Sequence, residues 1–114
     1  MKTFELSTKY ITATNCQFLI SEYREGGLAL SVHGCCNLNE CCEPLMDVTI
    51  FDADLRKERD IALVKDYAEN EGLSDALARL GFAKPLDTKT VGFATATVMQ
   101  FDMGKVLEYG YDQR

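Results

Sequence analysis

Four of the five cysteines of this chain and its only histidine lie within ten consecutive residues, HGCCNLNECC (33–42). Thiolate and imidazole are the ligands that Zn²⁺ prefers, and the spacing of Cys36 and Cys41 is at the upper edge of that used between paired thiolates in zinc loops. Gly34 and the asparagines favour a turn, which adjacent cysteines need if both are to reach one ion. The pattern predicts a structural Zn²⁺ site formed by Cys35, Cys36, Cys41 and Cys42.

Two other residues are reserve ligands for this site, because four ligands within eight residues is a tight arrangement. A hairpin that reverses at 24–27 with Tyr23 opposite Leu28 places Cys16 opposite Cys35, or opposite Cys36 in the next register, with side chains about 5 Å apart. His33 immediately precedes the cluster. The alternatives are reduced thiols without metal and disulfides, which would leave one of five cysteines unpaired. The absence of a secretory signal predicts a reducing cytoplasm, where clustered cysteines favour metal.

A catalytic role is the minority interpretation of these residues. A shell rich in thiolates is typical of closed structural zinc sites, whereas zinc hydrolases keep an open position and a general base. A nucleophile pair from His33 and Cys35 lacks a third group to orient it. Asp52 and Asp54 could bind Mg²⁺, but they fit better as turn and helix-cap residues. The sequence therefore predicts no catalytic residue and no enzyme.

The charge of the chain is acidic and unevenly distributed. The 114 residues, expected to form a single domain over 1–114, carry a net charge of −6. Between Glu40 and Asp75 there are eleven acids and four bases. This excess disfavours direct nucleic-acid binding and suits a protein partner with a basic surface, although a solubilising charge is the alternative. The candidate partner-binding residues are Asp52, Asp54, Asp66, Glu69, Glu71 and Asp75.

The remaining sequence predicts an α+β fold, an antiparallel β-sheet with two helices packed on one face. Alternation indicates a strand in 3–12, and the strand-like segments 16–23 and 28–32 flank a glycine turn. Further strands are expected at 45–51 and 91–101, with a loop around Pro85, while 105–111 is ambiguous. Asp60 is expected to cap a helix over 61–71, followed by a short helix over 75–80 that ends at Gly81.

The run KDYAENEGLSDALARLGFAKP (65–85), followed by Val91-Gly92-Phe93 and Gln100-Phe101-Asp102, resembles small uncharacterised proteins carried by phages and conjugative elements of Gram-positive bacteria. The resemblance covers roughly the C-terminal half. Proteins of this kind include anti-CRISPR inhibitors, so the resemblance implies a cytoplasmic inhibitor, in the bacterial host cell, of a type II CRISPR effector nuclease. Such a protein would occupy the basic channel of the nuclease and block the loading of target DNA. A zinc-stabilised adaptor and a redox-sensing thiol protein are the alternatives.

Overall fold

The computed structural model describes residues 2–34 and 43–114. Within them the chain forms nine β-strands and two short α-helices, α1 (Leu73–Arg79) and α2 (Met103–Glu108). None of the helices in these residues is long and apolar enough to cross a membrane. The strands are β1 (Phe4–Ser7), β2 (Thr12–Glu22), β3 (Leu28–Gly34), β4 (Glu43–Asp47), β5 (Thr49–Ile50), β6 (Ile61–Val64), β7 (Ala83–Val91), β8 (Ala94–Phe101) and β9 (Gly110–Asp112).

The strands form two sheets that are joined through Val48. The first has the order β1-β2-β3-β4, and β9 pairs in parallel with β2; the second has the order β5-β6-β8-β7. All other pairings are antiparallel. The backbone N–H of Val48 donates to Leu30 O of β3 at 2.9 Å, and its carbonyl accepts from Lys65 N at 2.9 Å. The predicted α+β class with an antiparallel sheet is confirmed, while the packing of both helices on one face stays a prediction.

Alternation along β2 and β3 forms one side of the core. Cys16, Phe18 and Ile20 are buried, and they alternate with partly exposed residues. In β3 the buried positions are Leu28, Leu30, Val32 and Gly34. Burying each large apolar side chain contributes about 1.5–3 kcal/mol before the cost of ordering it. An aromatic cluster of Phe4, Phe18, Phe82 and Tyr109 lies at the centre, with ring centroids 4.8–5.1 Å apart between successive members.

The β2–β3 hairpin reverses where the sequence predicts, but with a different register. Glu22 is paired with Leu28, so the turn contains five residues and Tyr23 N donates to Gly27 O at 3.0 Å. Gly26 and Gly27 have φ of 100° and 106°, a region that glycine adopts without strain. The extra turn residue moves every cross-strand pair by one position. The predicted pairing of Tyr23 with Leu28 is therefore wrong, and the ladder ends with Gln17 opposite His33. Cys35 and Cys36, the predicted partners of Cys16, lie outside the described residues.

The helix predicted over 61–71 is absent. Ile61–Val64 is the inner strand β6, whose neighbours are β5 and β8, and Ala68–Asn70 is a single 3₁₀ turn. Asp60 does not cap a helix; its carboxylate accepts from Gln100 Nε2 at 3.1 Å. Four consecutive apolar residues suit a strand covered on both faces, and pairing on two sides satisfies their backbone groups.

In the C-terminal part of the chain, one predicted element is confirmed and the bounds of the others differ from the prediction. The short helix expected over 75–80 is α1, and Gly81 follows its end with φ of 79°. The strand expected over 91–101 begins only at Ala94, since Gly92 and Phe93 form the turn of the β7–β8 hairpin, and the loop expected around Pro85 is part of β7. The ambiguous segment 105–111 contains most of α2 and the start of β9.

Candidate functional site

The four principal zinc ligands predicted from the sequence, Cys35, Cys36, Cys41 and Cys42, lie outside the described residues. The structure describes the two positions to which this segment is attached. Gly34, at the end of β3, and Glu43, at the start of β4, are partners across the β3–β4 ladder. Both attachment points therefore lie side by side at one end of the first sheet.

The reserve ligand Cys16 lies beside the first of these attachment points. Its side chain is fully buried, and a Cβ on Gly34 would lie 3.6 Å from Cys16 Sγ. Burial raises the pKa of the Cys16 thiol, which a backbone hydrogen bond from Leu6 lowers only in part. A buried thiol with a raised pKa behaves as a small core residue, and it would need a nearby cation to ionise.

The other reserve ligand, His33, lies on the opposite face of the sheet. It alternates with the buried residues Val32 and Gly34, and its cross-strand partner on β2 is Gln17. Cys16 belongs to the buried face, and side chains on opposite faces of a sheet diverge. One Zn²⁺ at this end of the sheet would therefore use Cys16 or His33, not both. In residues 2–34 and 43–114 no three His, Cys, Asp or Glu side chains are grouped to hold a metal.

The segment 66–75, called here the acidic turn, runs from the end of β6 into the first turn of α1 and holds four of the six predicted partner-binding residues. The carboxylate of Asp66 accepts hydrogen bonds from Gly72 N and Ser74 N, each at 3.1 Å, and from Ser74 Oγ. The buried side chain of Asn70 donates to Asp47 O at 2.7 Å. These contacts fix the acidic turn to the body of the protein, so Asp66 has a structural role.

The other three acidic residues of this turn reach solvent. The side chains of Glu69, Glu71 and Asp75 are 61%, 49% and 83% exposed. Each forms an ion pair with a base of the same chain, namely Lys65, Lys9 and Arg79 respectively. A hydrogen bond from Lys65 lowers the pKa of Glu69. Exposed ion pairs of this kind contribute little to stability, so these carboxylates can exchange their intramolecular bases for those of a partner.

Asp52 and Asp54 contact Lys89 of β7, with Lys89 Nζ 2.7 Å from Asp52 Oδ2 and 3.1 Å from Asp54 Oδ2. The Asp52 side chain is only 8% exposed, and its Oδ1 accepts from Asp54 N at 3.0 Å, which caps the 3₁₀ turn Ala53–Leu55. Burial raises the pKa of Asp52, but the hydrogen bonds from Lys89 and Asp54 N outweigh it, so the net pKa is lowered. The cap expected from the sequence is confirmed, and Asp52 has an internal role.

The structure thus divides the six predicted partner-binding residues. Asp52 and Asp66 support local backbone, whereas Asp54, Glu69, Glu71 and Asp75 present carboxylates to solvent. Sequence reasoning did not find Lys89, whose role depends on a contact 37 residues away in the chain. No local signal marks such a contact.

The sequence does carry a signal for the turn between β7 and β8. Gly92-Phe93 is a Gly-X pair between two alternating segments, which is typical of a two-residue hairpin turn.

Comparison with known proteins adds no relative: no family model, no curated protein and no solved structure matches this chain. The resemblance to small proteins of phages and conjugative elements therefore stays a prediction.

Proposed function

We propose that this protein is a non-enzymatic binding protein whose acidic turn contacts a basic, nucleic-acid-binding surface on another protein. In the specific form that the resemblance implies, the partner is a type II CRISPR effector nuclease in the bacterial cytoplasm. Binding would keep target DNA out of the positively charged channel of the nuclease. Four exposed carboxylates, Asp54, Glu69, Glu71 and Asp75, would make the contact.

The observation that supports this proposal is the way the acidic turn is held. The side chains of Asp66 and Asn70 hold its backbone in place through hydrogen bonds to backbone groups. Glu69, Glu71 and Asp75 are exposed on this fixed backbone. A preorganised group of charges loses little conformational freedom on binding. The rest of the chain does not oppose the contact, since it has 14 acids and 12 bases outside 66–75, a net charge of −2 that also favours a basic partner.

The cysteine cluster completes the proposal as a structural Zn²⁺ site. Its support is the density of soft ligands in 35–42 together with Cys16, whose sulfur lies close to Gly34. Metal content per chain, measured by elemental analysis on protein purified without added zinc, tests this part. Near-stoichiometric zinc, with thiols that react only after chelation, is expected. Metal-free protein in which the thiols of 35–42 react without chelation would instead favour the redox-sensing alternative.

The binding proposal is tested with matched charge reversals. The triple variant Glu69→Lys, Glu71→Lys and Asp75→Lys keeps the internal carboxylates Asp52 and Asp66. A control with the same change in net charge reverses three exposed residues elsewhere, Glu5, Glu25 and Glu58. Affinity for a nuclease–guide RNA complex is measured by biolayer interferometry over a salt series, beside target-DNA cleavage.

The expected result is a loss of affinity of about tenfold or more in the triple variant, with a smaller salt dependence, and a modest change in the control. Equal effects of the two sets would mean that only net charge matters and would contradict a contact at the acidic turn. Binding that leaves DNA cleavage unaffected would point to an adaptor. Wild-type protein that does not bind the nuclease complex would refute the CRISPR-specific form.

A further inference from the structure

The β7–β8 hairpin has an open edge and an exposed aromatic tip. Among the described strands, β7 pairs only with β8 and ends the second sheet. Gly92 and Phe93 form its two-residue turn, and a Cβ on Gly92 would meet nothing within 4 Å. The Phe93 side chain is fully exposed, while Leu86 of β7 is half exposed. An aromatic residue at the second position of such a turn is unusual, because polar residues and glycine are preferred there.

The base of the same hairpin holds a groove of about 360 Å³. Its lining includes Phe101 at the end of β8, Ala83 at the start of β7 and Gly81 just before β7, with Lys84, Gln100 and Asp102 around them. The hairpin therefore has an apolar knob at one end and a groove with apolar walls at the other. Two such hairpins side by side in opposite directions would place each knob beside the groove of the other.

We propose that two copies of this chain associate by antiparallel pairing of their β7 strands, with Phe93 of each copy in the groove at the base of the other hairpin. The register is centred on Thr88, which faces the partner's Thr88. Residues equally far from Thr88 then face one another as far as Leu86, where β7 has a bulge. The turn of one hairpin, with Phe93, then lies beside the start of the partner's β7. This interaction does not depend on the function proposed above.

The backbone of β7 can form this seam. In a two-residue hairpin the flanking pair, Val91 and Ala94, exchanges hydrogen bonds, and bonded and non-bonded pairs then alternate. By this alternation Thr88 and Thr90 direct their N–H and carbonyl groups away from β8. In the single chain the N–H of Thr88 donates to its neighbour's carboxylate, Asp87 Oδ1, at 2.8 Å. In the pair, the carbonyl of the partner's Thr88 would take its place.

Side-chain charges fit the same register. Asp87 lies opposite the partner's Lys89, and Lys89 lies opposite the partner's Asp87, so two unlike pairs flank the centre. Lys89 already contacts Asp52 and Asp54 of its own chain, and its ammonium group would share its three donors with the partner's Asp87. Opposite charges directly across a ladder stabilise it. The hairpin, residues 83–101, contains two lysines and one aspartate, a net of +1, so the rest of the chain carries −7. Two copies of an acidic protein would repel each other least along this hairpin.

The net charge of the whole chain argues against other occupants of the tip. Nucleic-acid phosphates and anionic lipid surfaces would both be repelled by a chain of net charge −6.

The nine-residue strand β7 is about 30 Å long at about 3.4 Å per residue. Each end of such a seam would bury one Phe93 side chain, and a few buried aromatic residues often supply most of the binding energy of an interface.

Sedimentation equilibrium in reducing buffer, which prevents intermolecular disulfides, tests the association. The expected result is a concentration-dependent mass that rises towards twice 12.7 kDa. Phe93→Asn removes the anchor but keeps a favoured Gly-Asn turn, and Thr88→Pro removes the outward donor; each is expected to raise the dissociation constant about tenfold or more. Tyr10→Ser, which removes another exposed aromatic residue in the β1–β2 connection, is the matched control and should leave it unchanged.

Amide hydrogen exchange locates the seam independently. The amides of Thr88 and Thr90 should become protected as the concentration rises, and circular dichroism verifies that each variant is folded. A mass of 12.7 kDa up to about millimolar concentration would overturn the proposal. So would a dimer that persists in both hairpin variants, or one that leaves the exchange of Thr88 and Thr90 unchanged.

Discussion

Replacing Asp52 by asparagine separates the charge of this buried carboxylate from its role as a cap. Asparagine caps a helical turn about as well as aspartate, so the bond to Asp54 N can persist. What is lost is the charge-assisted contact with Lys89, now 2.7 Å from Asp52 Oδ2. Hydrogen bonds to charged groups contribute about 1.5–3 kcal/mol. Because Lys89 is 40% exposed and screened by solvent, we expect the free energy of unfolding to fall by about 1–2 kcal/mol.

The pH dependence of that loss has a definite sign. The pKa of Asp52 is lowered in the folded protein, so its charge stabilises the fold above the unfolded pKa of about 3.9. As the pH falls through the lower folded pKa, this stabilisation disappears. The difference between wild type and Asp52→Asn should therefore be full at pH 7 and shrink towards zero as the pH falls below about 4.

Urea and thermal unfolding at pH 7 and at pH 3 measure both effects. At pH 7 the midpoint of Asp52→Asn should be about 4–8 °C below wild type. Asp54→Asn is the matched control, since Asp54 contacts the same lysine but its side chain is 85% exposed; its midpoint should stay within about 2 °C of wild type. Equal losses in the two variants, or a loss at Asp52 that does not change with pH, would refute this account of the buried pair.

Two further predictions concern the backbone. Gly26→Ala should lower the free energy of unfolding by about 3 kcal/mol or more, because φ is 100° there and the new Cβ would lie 2.7 Å from Arg56 O. Denaturant titrations measure this loss. A loss below about 1 kcal/mol would mean that the turn adopts another conformation at little cost. In the same titrations, Asp66→Ala should lower the free energy of unfolding by about 2–3 kcal/mol, since it removes the acceptor of two backbone N–H groups at the start of α1. Glu69→Ala, the control, should change the free energy of unfolding little. Similar values for both variants would contradict the anchoring role of Asp66.

Several elements followed from local sequence because their causes are local. Alternation identified the buried face of β1, where Phe4 and Leu6 are inside. Gly26-Gly27 marked the reversal between β2 and β3, since positive φ is easy only for glycine. The Asp52 cap was also recognisable, because its bond to Asp54 N spans two residues. In each case the interactions involved lie within a few residues of one another.

Residues 61–71 show where local evidence fails. An apolar stripe preceded by Asp60 satisfies the pattern of a capped helix, yet Ile61–Val64 is a strand. Its neighbours are β5 and β8, and β8 lies more than thirty residues further along the chain. Pairing on both edges satisfies the backbone, and burial of Ala62, Leu63 and Val64 outweighs the small differences in helix propensity.

The sequence by itself determined the α+β class, the alternating strands, the glycine reversals and the regional excess of acid, because each depends on near neighbours or on composition. Only the tertiary structure decided the register that puts Cys16 beside Gly34 and His33 on the opposite face. It alone also decided which carboxylates are internal, as at Asp52 and Asp66, and which are exposed. The physical reason is that register, burial and the Lys89 contact depend on residues distant in the chain, and their energies exist only once the strands have paired.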